Sequence, residues 1–277
     1  MLKQRIITAL FLLAVFLPAL FHPDARWLGF AGLFLVAAGA WEWGRLNHLG
    51  PVAALVMPLC CLMLCTALWI TGVAASMPNA VWLLSGVLWI SLLFYFLKHG
   101  AESWRVLPAL IRNLTGIGIL TMTWLALYQA KRTGTAFLTS VLVLVWVADI
   151  AAYFVGKQWG RNKLAPSISP GKSREGLLGG LLGVVALSFA WLALQTTFPA
   201  LSDSLFARLY AHGVFFMLAG VIFLALVSAA GDLFESLLKR SAGVKDSSAL
   251  LPGHGGVLDR LDALLPTLPL AMMLYLM

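Results

Sequence analysis

The 277-residue chain is 61% hydrophobic and only 11% charged, with a mean hydropathy of +0.92 and a net charge of +8. Such a composition excludes an ordinary soluble globule, and no strands of about ten residues alternating in polarity suggest an outer-membrane barrel. The basic excess does not call for nucleic acid as a partner, because membrane proteins collect Lys and Arg in cytoplasmic loops, where they also attract anionic headgroups and phosphates.

Apolar runs of about 18 residues or more recur along the whole length, each able to cross a hydrocarbon core of about 30 Å. The expected fold class is all-α, a polytopic integral membrane protein of about nine transmembrane helices in the lipid bilayer. The first run, MLKQRIITALFLLAVFLPALF, has a basic head and an apolar body but no small-x-small cleavage site, and reads as an uncleaved span. Further spans are expected at 27–44, 52–73, 80–97, 107–129, 136–156, 177–198, 213–238 and 263–277. In the second span Glu42 and Arg45 stand three apart and are expected to pair with each other. Trp27, Trp41, Trp43, Trp82 and Trp89 read as interface anchors and packing residues. Cys60, Cys61 and Cys65 lack metal-ligand spacing and a His partner, and read as small lipid- or core-facing residues.

With the N-terminus in the cytoplasm, fifteen Lys and Arg fall in inside segments and four, Arg26, Lys131, Arg132 and Arg208, outside. That bias sets the expected orientation in a bacterial-type inner (plasma) membrane. Residues 1–130 are expected to be a scaffold of transmembrane helices and 131–277 a catalytic region. Its loops 157–175 and 239–262 then share the cytoplasmic face, where the active site is expected.

The most charged stretch runs from Gly231 to Asp262 and holds Asp232, Glu235, Asp246, Asp259 and Asp262 beside Lys239, Arg240, Lys245 and Arg260. Charge beside a bilayer is expensive and usually functional. Glu235 and Lys239, four apart, could simply pair. Asp232 sits in an apolar run with no cation four residues away, so it needs a partner, which a divalent metal shared with Asp259 would supply. Between the acids, Pro252, Gly253, Gly255 and Gly256 rule out regular helix and let backbone N–H groups approach a phosphate. His254 reads as a phosphate contact, a proton donor or a hydrogen-bonded structural residue.

The partner segment, 148–176, carries Asp149, five basic residues and the hydroxyls of Ser167, Ser169 and Ser173 among turn-forming Pro166, Pro170 and Gly171. Its SPGKSREG run mixes residue types found in phosphate-binding turns. The GxxxxGK[ST] spacing of a P-loop ATPase is absent.

From Ser236 to Asp262, the string SLLKRSAGVKDSSALLPGHGGVLDRLD resembles the signature of the phosphatidate cytidylyltransferase (CDP-diacylglycerol synthase) family, with its spacing intact. Residues 149–176 look like that family's second block; residues 1–130 resemble it only as apolar spans. The resemblance implies a Mg²⁺-dependent reaction of CTP with phosphatidic acid that yields CDP-diacylglycerol and pyrophosphate. It implies that Asp232 and Asp259 hold the metal, with Asp149 supporting the site or a second cation. Lys239 and His254 join the two aspartates as candidate catalytic residues. Ser167, Ser169, Lys172, Arg174, Arg240, Lys245, Asp246, Gly255, Gly256 and Arg260 would bind substrate, the Gly255–Gly256 turn admitting a phosphate closely. A homodimer is common among polytopic enzymes of this size.

Two other classes share parts of this pattern. A CTP-dependent lipid-alcohol kinase would use similar parts but attack the γ-phosphorus and release CDP. A membrane transporter would place its acids near the bilayer midplane, whereas these cluster at the inner helix ends.

Overall fold

The computed structural model describes residues 2–276; the side chains of Lys3 and Arg5, counted above among the inside charges, lie outside the description, as do Met1 and Met277. Its helices are α1 (Leu2–Phe21), α2 (Arg26–Leu46), α3 (Pro51–Ile70), α4 (Asn79–His99), α5 (Ala101–Arg105), α6 (Ala109–Thr133), α7 (Thr135–Trp159), α8 (Arg174–Thr197), α9 (Leu205–Ala211), α10 (Val214–Ser241), α11 (Leu258–Leu261) and α12 (Leu264–Tyr275). A small antiparallel hairpin, β1 (Lys163–Ala165) and β2 (Ser169–Ser173), stands between α7 and α8. The chain is an all-α polytopic membrane protein with this hairpin as an addition, in the segment expected to be a plain basic loop.

Among the described residues, α3, α4, α6, α7, α8 and α10 are long and apolar enough to cross a membrane. They cover six of the nine predicted spans. The other three predicted spans are helical as well. Among the described residues α1 presents the apolar helix Ile6–Phe21, and α2 carries Arg26, Glu42 and Arg45. The 12 residues of α12 reach only about 18 Å at about 1.5 Å per residue, short of the hydrocarbon core. Instead α12 is a core element: Leu265–Met272 are buried, against α4, α6 and α10.

Two packing devices position the charged segments. On α8, Gly176, Gly179, Gly180 and Gly183 face α7. A Cβ on Gly180 would stand 2.8 Å from the Ala148 carbonyl oxygen, and one on Gly179 2.4 Å from Val155. Helices in lipid gain little from excluding water, so close backbone approach over small residues is how they associate. The second device is aromatic. Phe234 of α10 is fully buried among Trp43, Trp89, Phe96 and Trp104, with ring centroids 5.7–6.4 Å from its own. The polar edges of two of these tryptophans are satisfied: Trp43 Nε1 donates to the Arg112 carbonyl at 2.9 Å and Trp104 Nε1 to Asn47 Oδ1 at 2.9 Å. Cys61 and Cys65 are buried free thiols in this core, as expected, and Cys60 is partly exposed.

The Gly180→Val substitution drives a branched side chain into backbone that cannot retreat. It is expected to cost about 1–3 kcal/mol and to lower the thermal midpoint of detergent-solubilised protein, read by differential scanning fluorimetry.

Candidate active site

The C-terminal ends of α7 and α10 and the N-terminal end of α8 enclose a cavity of about 580 Å³ with the hairpin and α11. Asp149, Asp232, Asp259 and Asp262 line it, together with Lys157, Lys172, Arg260, Ser169 and Ser173. Local sequence accounts for each placement. Ser173 ends β2 and caps α8, its hydroxyl accepting the Gly176 N–H at 3.1 Å. Glu175, in the first turn of α8, accepts from the Arg161 and Asn162 N–H groups and from Asn162 Nδ2, closing the base of the hairpin. Arg240 donates to the Ile168 carbonyl at 3.2 Å, so the hairpin is docked onto α10. Gly231 lets α10 touch the start of the last helix, since a Cβ there would lie 2.7 Å from the Asp262 carbonyl oxygen.

Asp232 does have a cation. It comes from the hairpin rather than from the next helical turn: Lys172 Nζ lies 2.6 Å from Asp232 Oδ2. The partner that Asp232 was expected to need is thus a lysine from another element. Sequence spacing reads pairs within a helix, and this pair is brought together by packing. The Ser236 hydroxyl adds a longer bond to Asp232 Oδ1 at 3.3 Å.

Lys239 stands between two carboxylates, 2.5 Å from Glu235 Oε2 and 2.6 Å from Asp259 Oδ1. The Glu235–Lys239 pair suggested by the spacing is present, but it is half of a triad. The other oxygen of Asp259 accepts from the Ser247 N–H (3.0 Å), the Ser247 hydroxyl (2.9 Å) and the Gly256 N–H (2.8 Å). Burial opposes ionisation of Asp259, but the Lys239 ammonium and these N–H donors outweigh it and hold the carboxyl below its ordinary value of 3.8. A carboxylate held low adds stability in full above that ordinary value, and loses it as pH falls through the lower folded value. Asp262 moves the other way: burial and the nearby Asp232 charge push it upward.

A second cavity, also about 580 Å³, is lined by Lys245, Asp246, Ser248, His254 and Gly255. Asp259 and Arg260 line both cavities, which therefore meet at α11. Arg260 donates twice to the His254 carbonyl, at 3.1 and 2.6 Å. The ring Nδ1 of His254 is buried without a partner among the described residues.

Several expected residues fall elsewhere. Ser167 and Arg174 are exposed and line neither cavity. Arg240 acts as a tie, donating to Ile168 and Val244 carbonyls. On Gly256 a Cβ would lie 2.0 Å from Ser247 Oγ and 2.4 Å from Glu42 Oε1, and its N–H donates to Asp259 Oδ2 at 2.8 Å.

Other residues at the site were missed from sequence. Asp262 lies within the signature string without a role of its own there, and Ser173 enters only as a hydroxyl of the partner segment. Ser247 had no distinguishing pattern, nor did Glu42, which does not pair with Arg45. The Arg45 guanidinium lies over the Trp41 ring, 4.7 Å from its centroid, while the Glu42 carboxylate turns inward to the 247–258 segment.

Among the described residues no three His, Cys, Asp or Glu side chains form a ready-made metal cluster. The donor chemistry nonetheless fits a hard divalent cation. Four carboxylates line one cavity, and Mg²⁺ commonly takes one or two carboxylates, leaving its remaining positions to water and phosphate oxygens.

The sequence profile of the cytidylyltransferase family matches residues 3–277. Proteins named phosphatidate cytidylyltransferase are similar along most of the chain. The one from Pseudomonas aeruginosa is 38% identical over 97% of this chain and 95% of its own, and that from Haemophilus influenzae 33% identical over 97% and 96%. The Thermotoga maritima protein is 35% identical over 64% of this chain and 62% of its own.

Removing one member of a buried ion pair leaves its partner uncompensated, at a cost of about 3–5 kcal/mol. The Lys239→Met substitution strands Glu235, whose side chain is 1% exposed. It is expected to lower the thermal midpoint sharply in detergent, and adding Glu235→Gln is expected to restore part of the loss.

Proposed function

The chain belongs to the cytidylyltransferase family and is a nucleotidyltransferase, and from that premise we propose that it joins CTP to phosphatidic acid, releasing pyrophosphate and forming CDP-diacylglycerol. The observation that carries this reading is the cavity at these ends of α7, α8 and α10, with carboxylates and basic side chains on one wall system. A lipid phosphate in the membrane and a nucleotide from solution can meet there.

In the reaction a phosphate oxygen of the lipid attacks the α-phosphorus of CTP. A new P–O–P bond forms, the bond between the α-phosphorus and the bridging oxygen breaks, and the electron pair leaves with pyrophosphate. No protein nucleophile is needed, because the lipid supplies its own. The task left to the protein is positioning and electrostatic stabilisation. Lys172, Lys157 and Arg260 line the cavity as phosphate partners, and Lys245 and His254 line the adjoining one. Ser169 and Ser173 supply hydroxyls on the facing wall.

Both substrates are anions, and four carboxylates alone would repel them. Asp232 and Asp259 are the proposed holders of Mg²⁺, with Asp149 in support and Asp262 on the same wall. A bound Mg²⁺ would neutralise phosphate charge and polarise the reacting phosphoryl group. Lys172 would then be free to pass from Asp232 to a phosphate. The fifteen-to-four distribution of basic residues supports cytoplasmic placement of this face in a bacterial plasma membrane.

The test uses purified protein, Mg²⁺, dioleoyl phosphatidic acid and CTP labelled in turn at the α- and γ-phosphates. Entry of α-label into lipid with release of pyrophosphate is the expected result; γ-label in an added lipid alcohol identifies a kinase instead. The Asp232→Asn variant is expected to stay folded and to lose at least about 100-fold in kcat, the scale of losing a main electrostatic contact in such a site. Retained activity removes Asp232 from the site.

A further inference from the structure

Glu42 lies on α2, far in sequence from the charged segment, and its residue is 0% exposed. Burying a carboxyl group costs several kcal/mol unless donors compensate it. Here four do, all of them neutral: Ser248 Oγ at 2.5 Å, Ser247 Oγ at 3.1 Å, Val257 N–H at 2.9 Å and Leu258 N–H at 2.7 Å. Two come from the middle of the loop that follows α10, one from its last residue and one from the first residue of α11. One side chain therefore closes that loop upon itself, and the absence of a side chain at Gly256 is what lets it in.

The Ser247 hydroxyl is shared. It lies 3.1 Å from Glu42 Oε2 and 2.9 Å from Asp259 Oδ2, yet it has a single proton to donate. The Ser247 N–H also points at Asp259 Oδ2. Any shift of Glu42 is thus transmitted to the residue that fixes the Asp259 carboxylate at the junction of the two cavities.

We infer that Glu42 is a positioning residue for the reaction: it anchors the 246–258 loop and, through Ser247, sets the orientation of Asp259. The inference rests on the reading of the first cavity as the active site. It assigns to the N-terminal helices a part in catalysis beyond that of a scaffold.

The experiment compares full-length wild type, Glu42→Gln, Glu42→Asp, Ser247→Ala and the Glu42→Gln/Ser247→Ala double variant in detergent. It reads kcat and KM for CTP with dioleoyl phosphatidic acid, thermal midpoint, and amide hydrogen exchange by mass spectrometry. Glu42→Gln places an amide N–H₂ against donors. It is expected to lower kcat about 10- to 100-fold with KM for CTP within about threefold of wild type, and to speed exchange over 246–258 while the rest of the chain keeps its protection. Glu42→Asp, which keeps the acceptor oxygens, recovers part of kcat. Ser247→Ala lowers kcat severalfold at an unchanged thermal midpoint. The double variant is within about twofold of Glu42→Gln, because both act through one path.

A wild-type kcat in Glu42→Gln, multiplicative losses in the double variant, or a loss of protection spread over the whole chain would overturn the inference. If Glu42→Gln does not fold, Ser247→Ala with wild-type kcat overturns it alone. Failure of the functional reading is distinguishable: wild type then makes no CDP-diacylglycerol, while exchange over 246–258 in Glu42→Gln still decides whether Glu42 anchors the loop.

Discussion

An ammonium held between two carboxylates sets the geometry of this protein's charged end. Lys239 could not be buried alone at the end of α10, nor could Glu235; each makes the other tolerable, and Asp259 completes the arrangement. Because Glu235 and Lys239 belong to a rigid helix and Asp259 to the short turn beyond the loop, the triad ties the far end of that loop back to the helix that precedes it. The loop has little regular structure of its own. Its path is dictated by where its polar groups find partners, since an unpaired donor or acceptor next to a hydrocarbon phase is costly.

Much of this was legible in the sequence. Spans of sufficient length and hydropathy correspond to α3, α4, α6, α7, α8 and α10, because hydropathy over a window is the property that the bilayer itself selects. The two charged stretches, Asp149–Gly176 and Gly231–Asp262, stand out against an apolar background, and both line one cavity. The Glu235–Lys239 pair was legible because both residues share a helix and helical spacing is regular.

What sequence reasoning missed has a common cause. Lys172 with Asp232, and Glu42 with Ser247 and Ser248, are partners across the fold, and no local period encodes them. The spacing rule that found Glu235 and Lys239 paired Glu42 with Arg45 by the same logic, and there tertiary packing prevailed. The short α12 was read as a span because its composition is as apolar as a span's; hydropathy does not distinguish burial in protein from burial in lipid. Beside Gly256 the space that a Cβ would take is filled by side chains from two other parts of the chain, which no run of glycines announces.

The length of α10 bears on how a lipid would be encountered. Its uncharged run Val214–Gly231 measures about 27 Å at about 1.5 Å per residue, close to the hydrocarbon thickness of about 30 Å. A run of that length, if it spans the hydrocarbon, brings Asp232 and the loop that follows α10 to the depth of the headgroups. A lipid phosphate occupies that same depth wherever the molecule drifts in the leaflet. Under the proposed function, capture becomes a collision in two dimensions, governed by the mole fraction of the lipid in its monolayer, while the nucleotide arrives from three. Dilution of the membrane with inert lipid and dilution of the aqueous phase would thus slow the protein through different substrates.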